Sequence, residues 1–268
     1  MSTEEAPRSV LPYPPIHADA PFVVLSDWDG TITDKDSNDY LVDNLGFGFD
    51  KRRELNLECL SGRMTFRDSF KEMLESINHP FEECKEVLKK NIKLDSGFLN
   101  FYNWCKNKKI PFVIVSSGMA PNIKSVLSTL IPEINENQNK ENEIDIIANE
   151  VLFTDKEKKG KTWEIQYRHP ESGFGHDKSQ AILPYRNLKH KPILFFCGDG
   201  VSDLSAAKHA DLLFAKVMAN GHSDLKTYCE REHIKHVPFR DFNKVLERVK
   251  DVVEGGKSVE DVLKEEGN

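Results

Sequence analysis

Cysteines and long apolar runs are scarce in this sequence, basic residues are fewer than acidic ones, and each of these features excludes a class of protein. The cysteines are odd in number and form no Cys-x-x-Cys pair; they are Cys59, Cys84, Cys105, Cys197 and Cys229. We therefore expect free thiols in a reducing compartment and no disulfide scaffold. No segment approaches the ~18 apolar residues of a membrane span, and none resembles the core of a signal peptide. The sequence thus predicts a cytoplasmic protein without a membrane partner.

The charge balance argues against nucleic acid as a partner. Lys and Arg number 37 against 44 Asp and Glu, which gives a net charge of −7. A surface of this sign does not favour binding to a phosphate backbone. With 268 residues, 38% of them hydrophobic, the chain is long enough to bury a core as one large domain or as one domain with an insertion.

Short apolar runs alternate with segments of helical spacing along most of the chain. The runs cover residues 22–25, 112–115, 193–196 and 212–214, and the helical segments residues 98–109, 123–130, 179–188, 204–210 and 239–253. Because the runs are continuous rather than alternating, they are typical of parallel strands buried on both faces. The alternation predicts an α/β fold with a doubly wound, mostly parallel sheet.

Two segments interrupt this alternation of apolar runs and helical patterns. Residues 37–92 show only amphipathic helical patterns and predict a helical cap inserted after the first strand. In residues 132–175, a very polar stretch over 133–143 precedes two β-prone runs, 151–153 and 162–167, which predict a hairpin with a turn at Gly160. We accordingly predict a flexible, proline-rich arm over residues 1–20, a core formed by 21–36 and 93–268, and a cap formed by 37–92.

Pairs of carboxylates follow the first and the third apolar runs. Asp27 and Asp29 come directly after the first run, and Asp199 and Asp203 follow the third. Ligands of an open parallel sheet bind beyond the carboxyl ends of its strands, so we expect these acidic groups to meet at one edge. Like charges so close together imply a cation or a shared proton. Mg²⁺, which binds carboxylates, water and phosphate oxygens, fits this pattern.

Simpler interpretations of these carboxylates remain open. Each pair, taken alone, is also typical of a polar turn at the end of a strand. A calcium loop of the EF-hand type is excluded by spacing, because a loop beginning at Asp27 places Ile32 at the glycine position and Asn38 at the glutamate position. The presence of both pairs in one chain favours a metal site over two independent turns.

Candidate groups for binding an anion follow the second apolar run and precede a later helix. Ser116, Ser117 and Gly118 stand before a predicted helix, where hydroxyl and amide donors favour a phosphate. A serine in this place is also an ordinary helix cap. Lys178 follows a glycine-rich segment and is a candidate partner for carboxylates or for a phosphate.

These four segments, in this order, resemble the four motifs of the haloacid dehalogenase superfamily. The DxDGT sequence at residues 27–31 and the distant GDGxxD sequence at 198–203 carry most of the likeness. The helical insertion between the first two motifs is similar to that of the phosphoserine phosphatase-like branch, and residues 27–216 resemble fungal members of that branch. The resemblance implies an α/β core, a cap and phosphatase activity.

The resemblance also implies a role for each motif residue. Asp27 would be the nucleophile that forms an aspartyl-phosphate, and Asp29 the general acid and base. Ser116 and the two residues after it would bind the phosphoryl group, and Lys178 would pair with its charge.

The implied metal is Mg²⁺. It would be held by Asp27, by the backbone carbonyl of Asp29 and by Asp199. Asp203 would bind it directly, bind it through water, or hold Lys178 instead.

The motifs depart from the family pattern in detail. Trp28 stands where the family usually has Phe, Ser117 where many phosphoserine phosphatases have Gly, and Ser202 where they have Asn. We find no match for the arginine and glutamate that hold the amino-acid moiety in those enzymes. Phosphoserine itself is therefore not favoured as the substrate.

Candidate substrate contacts lie after the first motif, in the predicted cap and near Lys178. Asp36 and Asp39 would bind an amine, although Asn38 or Asp39 is equally suited to cap the next helix. Arg63 and Arg67, four apart on one predicted helical face, would clamp an anionic group or pair with neighbouring acidic residues. His176 is the histidine closest in sequence to the implied site.

The sequence analysis thus predicts a Mg²⁺-dependent phosphomonoester hydrolase that acts on a small phosphorylated metabolite. Two other functions remain open, namely phosphoryl transfer to a second substrate, as in a mutase, and a regulatory binding protein that has lost turnover. The sequence does not indicate the oligomeric state.

Overall fold

The computed structural model describes residues 6–132 and 144–267. The polar stretch 133–143 and the first five residues of the predicted arm lie outside the described residues. The described part contains one mixed sheet, whose strands are β1 (Phe22–Ser26), β2 (Phe112–Met119), β3 (Asp145–Phe153), β4 (Trp163–Gln166), β5 (Ile193–Gly198), β6 (Leu212–Lys216) and β7 (Val237–Phe239).

The strand order is β4-β3-β2-β1-β5-β6-β7. All neighbours pair in parallel except β3 and β4, which are antiparallel. The predicted mostly parallel sheet is therefore confirmed. After β1 the chain adds strands first on one side and later on the other, so the order reverses beside β1. Ligands of doubly wound folds bind at this place.

Helices cover both faces of the sheet. Those of the described residues are α1 (Ser37–Leu45), α2 (Phe49–Leu60), α3 (Phe66–Glu75), α4 (Phe81–Asn91), α5 (Phe98–Asn107), α6 (Ala120–Leu130), α7 (Ser179–Arg186), α8 (Leu204–Ala207), α9 (Asp224–Arg231), α10 (Phe242–Val253) and α11 (Val259–Glu265). Successive residues of β1 point to opposite faces: Val24 joins a core with α5, α6 and α10, whereas Val23 and Leu25 join a core with α7 and α9. This double burial explains why the strands are continuous apolar runs.

Helices α1 to α4 form the insertion between β1 and β2. The buried positions of α3 include Phe70, Met73 and Leu74, which repeat at helical spacing. The insertion contacts the β3–β4 hairpin, since the indole N–H of Trp163 donates to the His79 carbonyl (2.9 Å). The hairpin expected around Gly160 is present, and Gly160 has a φ of +75°, which favours glycine.

The end of the chain differs from the predicted single helix over 239–253. Phe239 ends strand β7, and the helix begins at Phe242 after Asp241, whose side chain accepts a hydrogen bond from the backbone N–H of Asn243. The apolar pattern continues through both elements, so hydrophobicity alone does not reveal the break; Asp241, a residue type typical of helix caps, is its local signal.

Residues 6–20 contain neither helix nor strand, but they lie against the core. The N–H of Val10 donates to the carbonyl of Arg168 (2.9 Å), and the Arg168 guanidinium donates to the carbonyls of Leu11 and Pro12 (both 3.1 Å). The sequence does not predict these contacts, because they depend on a residue far along the chain.

Among the described residues, no helix is long and apolar enough to span a bilayer.

Candidate active site

The first and fourth motifs meet at the carboxyl ends of β1 and β5. These strands are neighbours, and the N–H of Asp27 donates to the carbonyl of Cys197 (2.8 Å). Asp27, Asp199 and Asp203 each bring a carboxylate oxygen within 4.8 Å of the others. Gly30 makes this approach possible, because its φ is +71° and a Cβ there would lie 2.6 Å from Oδ2 of Asp199.

Lys178 supplies a buried cation to this acidic cluster. Its Nζ lies 2.7 Å from Oδ1 of Asp27 and 2.7 Å from Oδ1 of Asp203, and its side chain is fully buried. Burial alone would lower the pKa of Lys178, but the charges of Asp203 and Asp27 raise it above its usual value. The lysine is therefore held as a cation between two carboxylates.

Both oxygens of Asp203 are occupied by protein donors. Oδ1 faces Lys178, and Oδ2 accepts the backbone N–H groups of Asp199 (2.9 Å) and Gly200 (3.1 Å). Asp203 is fully buried. Of the three arrangements left open by the sequence, this geometry favours the one in which Asp203 holds Lys178.

Asp27 and Asp199 each keep an oxygen that makes no hydrogen bond within the described part of the chain. Oδ1 of Asp27 accepts from the N–H of Trp28 (2.7 Å) as well as facing Lys178, and Oδ1 of Asp199 accepts from the Thr31 hydroxyl (3.3 Å). Burial and the charge of Asp203 raise the pKa of Asp27 to about 7 despite Lys178. Burial, followed by Asp27 and Asp203, raises the pKa of Asp199 well above its usual value. The single positive charge of Lys178 thus does not balance the negative charges of three carboxylates. A hard cation fits this set of oxygen donors.

Asp29 lies beside the cluster with both oxygens hydrogen-bonded. Oδ1 accepts from the N–H of Ser37 (2.8 Å) and Oδ2 from the side-chain amide of Asn38 (2.8 Å). Burial, followed by the charges of Asp36 and Asp27, raises the pKa of Asp29 well above its usual value. A carboxyl group whose pKa is raised holds its proton more tightly than a free aspartate and is suited to act as an acid.

The second motif lies across the cluster from Asp199. Gly118 approaches Asp29 so closely that a Cβ there would lie 2.9 Å from Oδ2 of the aspartate. The hydroxyl of Ser117 is buried and has no hydrogen-bond partner among the described residues. The Ser116 hydroxyl accepts from the N–H of Gly118 (3.0 Å), which leaves its own proton for another acceptor. These groups are the donors that a phosphoryl group requires.

A cavity of about 180 Å³ connects the cluster to the helical insertion. Asp27, Asp29 and Asp199 line its inner end together with residues 116–118. Its outer wall is apolar on one side, where the insertion contributes residues Leu60, Phe66, Phe70 and Met73. Such a cavity is sized for a small molecule bound with its charged end inward.

The two predicted acidic contacts line this cavity, but neither is free of protein partners. Asp36 is the N-cap of α1 and accepts the backbone N–H groups of Asn38 and Asp39 (both 2.8 Å). Asp39 pairs with Arg52 at 2.6 Å. The cap of α1 is therefore Asp36, and the expectation of Asn38 or Asp39 as the cap is wrong, because the helix begins at Ser37. Binding of an amine by Asp36 or Asp39 stays a prediction.

The structure does not bring the two predicted arginines to the cavity. Arg63 pairs with Glu58 (2.6 Å), and Arg67 pairs with Asp68 (2.9 Å) and donates to the carbonyl of Pro170 (2.7 Å). The expectation of one shared helical face is wrong, because α3 begins only at Phe66. Local acidic partners therefore account for both guanidinium groups, and neither lines the cavity.

His176 lies behind the phosphate-binding candidates rather than in the cavity. It is fully buried, and its Nδ1–H donates to the carbonyl of Ser116 (2.7 Å). Its hydrogen bond holds the backbone of Ser116, and the ring does not line the cavity.

Two asparagines that matter for the site were not predicted from the sequence. Asn38 contacts Asp29, and Asn149 donates to the carbonyl of Ser117 (2.7 Å). Asn149 is fully buried within strand β3. An asparagine directly after the apolar residues 146–148 is the signal that would have drawn attention to it.

Comparison with known proteins agrees with this geometry. The family model of haloacid dehalogenase-like hydrolases matches residues 24–208. The chain belongs to the haloacid dehalogenase-like hydrolase family.

Relatives within this family include phosphatases. The chain is 43% identical over 249 residues to the polyol phosphate phosphatase PYP1 of Saccharomyces cerevisiae, covering 90% of this chain and 98% of the relative. It is 45% identical over 222 residues to the Pdp3-interacting factor 1 of Schizosaccharomyces pombe, covering 82% and 90%. A 2-hydroxy-3-keto-5-methylthiopentenyl-1-phosphate phosphatase of Bacillus cereus is 27% identical over 237 residues, covering 86% and 97%. The chain is a phosphatase of the haloacid dehalogenase family.

Solved structures share the fold of this haloacid dehalogenase-family phosphatase. A phosphoserine phosphatase with a phospho-aspartyl intermediate analogue has a TM-score of 0.58 at 18% identity and covers 85% of this chain and 98% of its own. A HAD family hydrolase from Salmonella enterica has a TM-score of 0.62 at 17% identity, covering 85% and 71%.

Proposed function

We propose that this phosphatase is a Mg²⁺-dependent phosphomonoesterase that hydrolyses small phosphorylated metabolites through an aspartyl-phosphate on Asp27. The observation that carries the proposal is the Lys178 bridge. It fixes one oxygen of Asp27 at 2.7 Å and leaves the other oxygen without a protein donor in the described residues, at the inner end of the cavity. A carboxylate held in this way is placed to attack a phosphoryl group bound in front of it.

The carboxylates of Asp27 and Asp199, with the backbone carbonyl of Asp29, would hold Mg²⁺. When bound, the ion would neutralise charge on the carboxylates and on the phosphoryl oxygens, as Mg²⁺ does in other phosphoryl-transfer sites. The short separation of the carboxylate oxygens and the presence of one buried lysine among three aspartates support this assignment. Asp203 is assigned to Lys178 instead.

Asp29 would act first as an acid and then as a base. Its proton would pass to the leaving alkoxide when Asp27 is phosphorylated, and the resulting carboxylate would then take a proton from the attacking water. Its hydrogen bonds to Ser37 and Asn38 hold the carboxyl group in place for both steps. Ser116 and Ser117 would donate their hydroxyl protons to phosphoryl oxygens, with Gly118 between them and Asp29.

Helices α1 to α4 would form the cap, residues 37–92, over a core of residues 21–36 and 93–268. The apolar wall from this insertion would exclude water during phosphorylation of Asp27. The polar groups of the insertion that line the cavity, Asn56 and Ser69 among them, would accept or donate hydrogen bonds to substrate hydroxyls. A short polyol phosphate fits this combination, and the name of the yeast relative supports the same class.

Two functions from the sequence analysis compete with hydrolysis. A phosphotransferase would pass the phosphoryl group to a second substrate, and a regulatory binding protein would bind phosphomonoesters without turnover. The free oxygen on Asp27 and the acid at Asp29 favour a working enzyme over a silent one. We propose a small phosphomonoester as the partner, with no nucleic acid or membrane involved, and a cytoplasmic location.

The test is phosphate release from a panel of sugar, polyol, amino-acid and amino-alcohol phosphates, with Mg²⁺ and with chelator. Hydrolysis predicts release that requires Mg²⁺ and is highest for small polyol phosphates. Transfer of the phosphoryl group to an added alcohol acceptor, instead of release of free phosphate, would identify a transferase. Absence of release from every substrate at saturating Mg²⁺ would contradict the proposal.

A further inference from the structure

The N-terminal segment is connected to the active site by two chains of hydrogen bonds. Residues 9–13 of this segment, which we call the strap, include Leu11, Pro12 and Tyr13, which lie beside helix α6 and strand β3. They contact Arg168 and His169, which follow strand β4. Neither residue lines the cavity.

The first chain runs through Arg168 to Ser117. The guanidinium of Arg168 donates to the hydroxyl of Ser9 (3.2 Å) and to two strap carbonyls, and it stacks 4.7 Å from the ring of Tyr13. The backbone N–H of Arg168 donates to Oδ1 of Asn149 (2.8 Å). The amide of Asn149 in turn donates to the carbonyl of Ser117 (2.7 Å). Three successive contacts thus connect the strap to strand β2, which carries Ser117.

The second chain runs through His169 to the segment that carries Lys178. The backbone N–H of Asp177 donates to Nδ1 of His169 (3.0 Å), so this nitrogen carries no proton and Nε2 carries it. His169 Nε2–H therefore donates to the Tyr13 hydroxyl (2.9 Å). Burial lowers the pKa of His169 to about 4, which keeps the ring neutral and this tautomer fixed. The ring of His176, which supports Ser116, lies 5.5 Å from that of His169.

We propose that Tyr13 is a positioning residue of the phosphatase, and that the strap orients Lys178 and the Ser116–Ser117 pair through His169 and Arg168. The inference rests on the proposed function, because it assigns the strap an effect on the groups that would bind the phosphoryl moiety. Buried Arg168, His169 and Asn149 have their polar atoms directed along these two chains. The strap thus supplies hydrogen-bond partners to two buried polar side chains, Arg168 and His169, that lie on these chains.

The experiment compares Tyr13→Phe with wild type in the full-length chain. The substitution removes the hydroxyl and keeps the ring that stacks on Arg168, and Tyr13 is 41% exposed, so folding should be retained. The matched control is Tyr228→Phe, whose ring faces the cations of Lys208 and Arg231 and does not line the cavity. The readouts are kcat and KM for a small phosphomonoester, inhibition by inorganic phosphate, the unfolding temperature, and the amide NMR signals of Ser117 and Lys178.

We expect Tyr13→Phe to lower kcat by about five- to tenfold, the loss of one hydrogen bond. The Ser117 and Lys178 signals should shift and Tyr228→Phe should resemble wild type, while the unfolding temperature falls by only a few degrees because one buried N–H of His169 loses its acceptor. Values of kcat and phosphate inhibition within twofold of wild type, or an equal loss in Tyr228→Phe, would overturn the inference while the proposed function stands. A wild-type protein that neither hydrolyses phosphomonoesters nor binds phosphate would overturn both the proposed function and the role assigned to the strap.

Discussion

The ammonium group of Lys178 lies 2.7 Å from Oδ1 of Asp27, and both side chains are buried at the carboxyl end of strand β1. Breaking a buried pair by removing one member costs about 3–5 kcal/mol, because the remaining charge is left without a partner. The pair therefore fixes one orientation of the Asp27 carboxylate. The free oxygen of Asp27 is presented to the cavity as a result, and the predictions below follow from that orientation.

Asp27→Asn should abolish turnover and leave the protein folded. An amide keeps the shape of the side chain but is a poor nucleophile, so kcat should fall at least about a thousandfold. Phosphate release and thermal unfolding measure the two effects. The control is Asp50→Asn, an exposed residue in the first turn of α2, which should match wild type in both. A variant at position 27 with activity near wild type would refute the nucleophile assignment.

Asp29→Asn should slow both chemical steps, because the substituted side chain neither donates nor accepts the proton. We expect kcat to fall by about 10²–10⁴-fold for an alkyl phosphate. An aryl phosphate has a leaving group that needs no acid. Phosphorylation of Asp27 should therefore still occur in this variant, whereas hydrolysis of the aspartyl-phosphate should not. Rapid-quench kinetics should then show a burst of phenol close to one equivalent of enzyme. An unchanged steady-state rate would show that Asp29 is not the acid and base.

Asp199→Asn and Asp203→Asn should separate metal binding from lysine positioning. Ligand binding to the folded state raises the unfolding temperature, so several millimolar Mg²⁺ should stabilise wild type relative to chelator. Asp199→Asn should lose this Mg²⁺-dependent shift. Asp203→Asn should keep it while losing stability and activity, since its oxygens bind Lys178 and two backbone N–H groups. If only Asp203→Asn lost the Mg²⁺-dependent rise in unfolding temperature, Asp203 would be the metal ligand and Asp199 would not.

Gly118→Ala should impair catalysis more than stability. The added methyl would lie 2.9 Å from Oδ2 of Asp29 and 3.2 Å from the amide of Asn38, so the acid must move. Displacements of this kind cost about tenfold to a hundredfold in kcat/KM. Gly173→Ala is the matched control, because a methyl there would meet only Thr65 at 3.6 Å. Equal kcat/KM in the two variants would show that Asp29 tolerates displacement.

Much of the core fold could be predicted from the sequence, because its strands are buried on both faces and appear as uninterrupted apolar runs. The short strand β7 escaped prediction, since Phe239 and the helix beginning at Phe242 share one apolar pattern. The start of α1 at Ser37 was predicted, but its cap was not, since Asp36 and neither Asn38 nor Asp39 fills this role.

The site was predictable in its motif residues and less so in what surrounds them. Asp27, Asp199 and Asp203 converge because strand ends bring them together, and strand ends are visible in the sequence. Of the two roles left open for Arg63 and Arg67, the structure shows pairing with acidic neighbours; only their shared helical face was wrong, because α3 begins at Phe66. Asn149 and Tyr13 act across long stretches of sequence, and no local pattern identifies such partners.

The most direct test of the account is to trap the phosphorylated enzyme. Wild-type protein with Mg²⁺ and a small phosphomonoester would be quenched in acid during turnover, digested and analysed by mass spectrometry. We predict that the peptide containing Asp27 gains the mass of one phosphoryl group, and that fragmentation places the group on Asp27. Continued turnover without this modification, or with the phosphoryl group on another residue, would contradict the central claim.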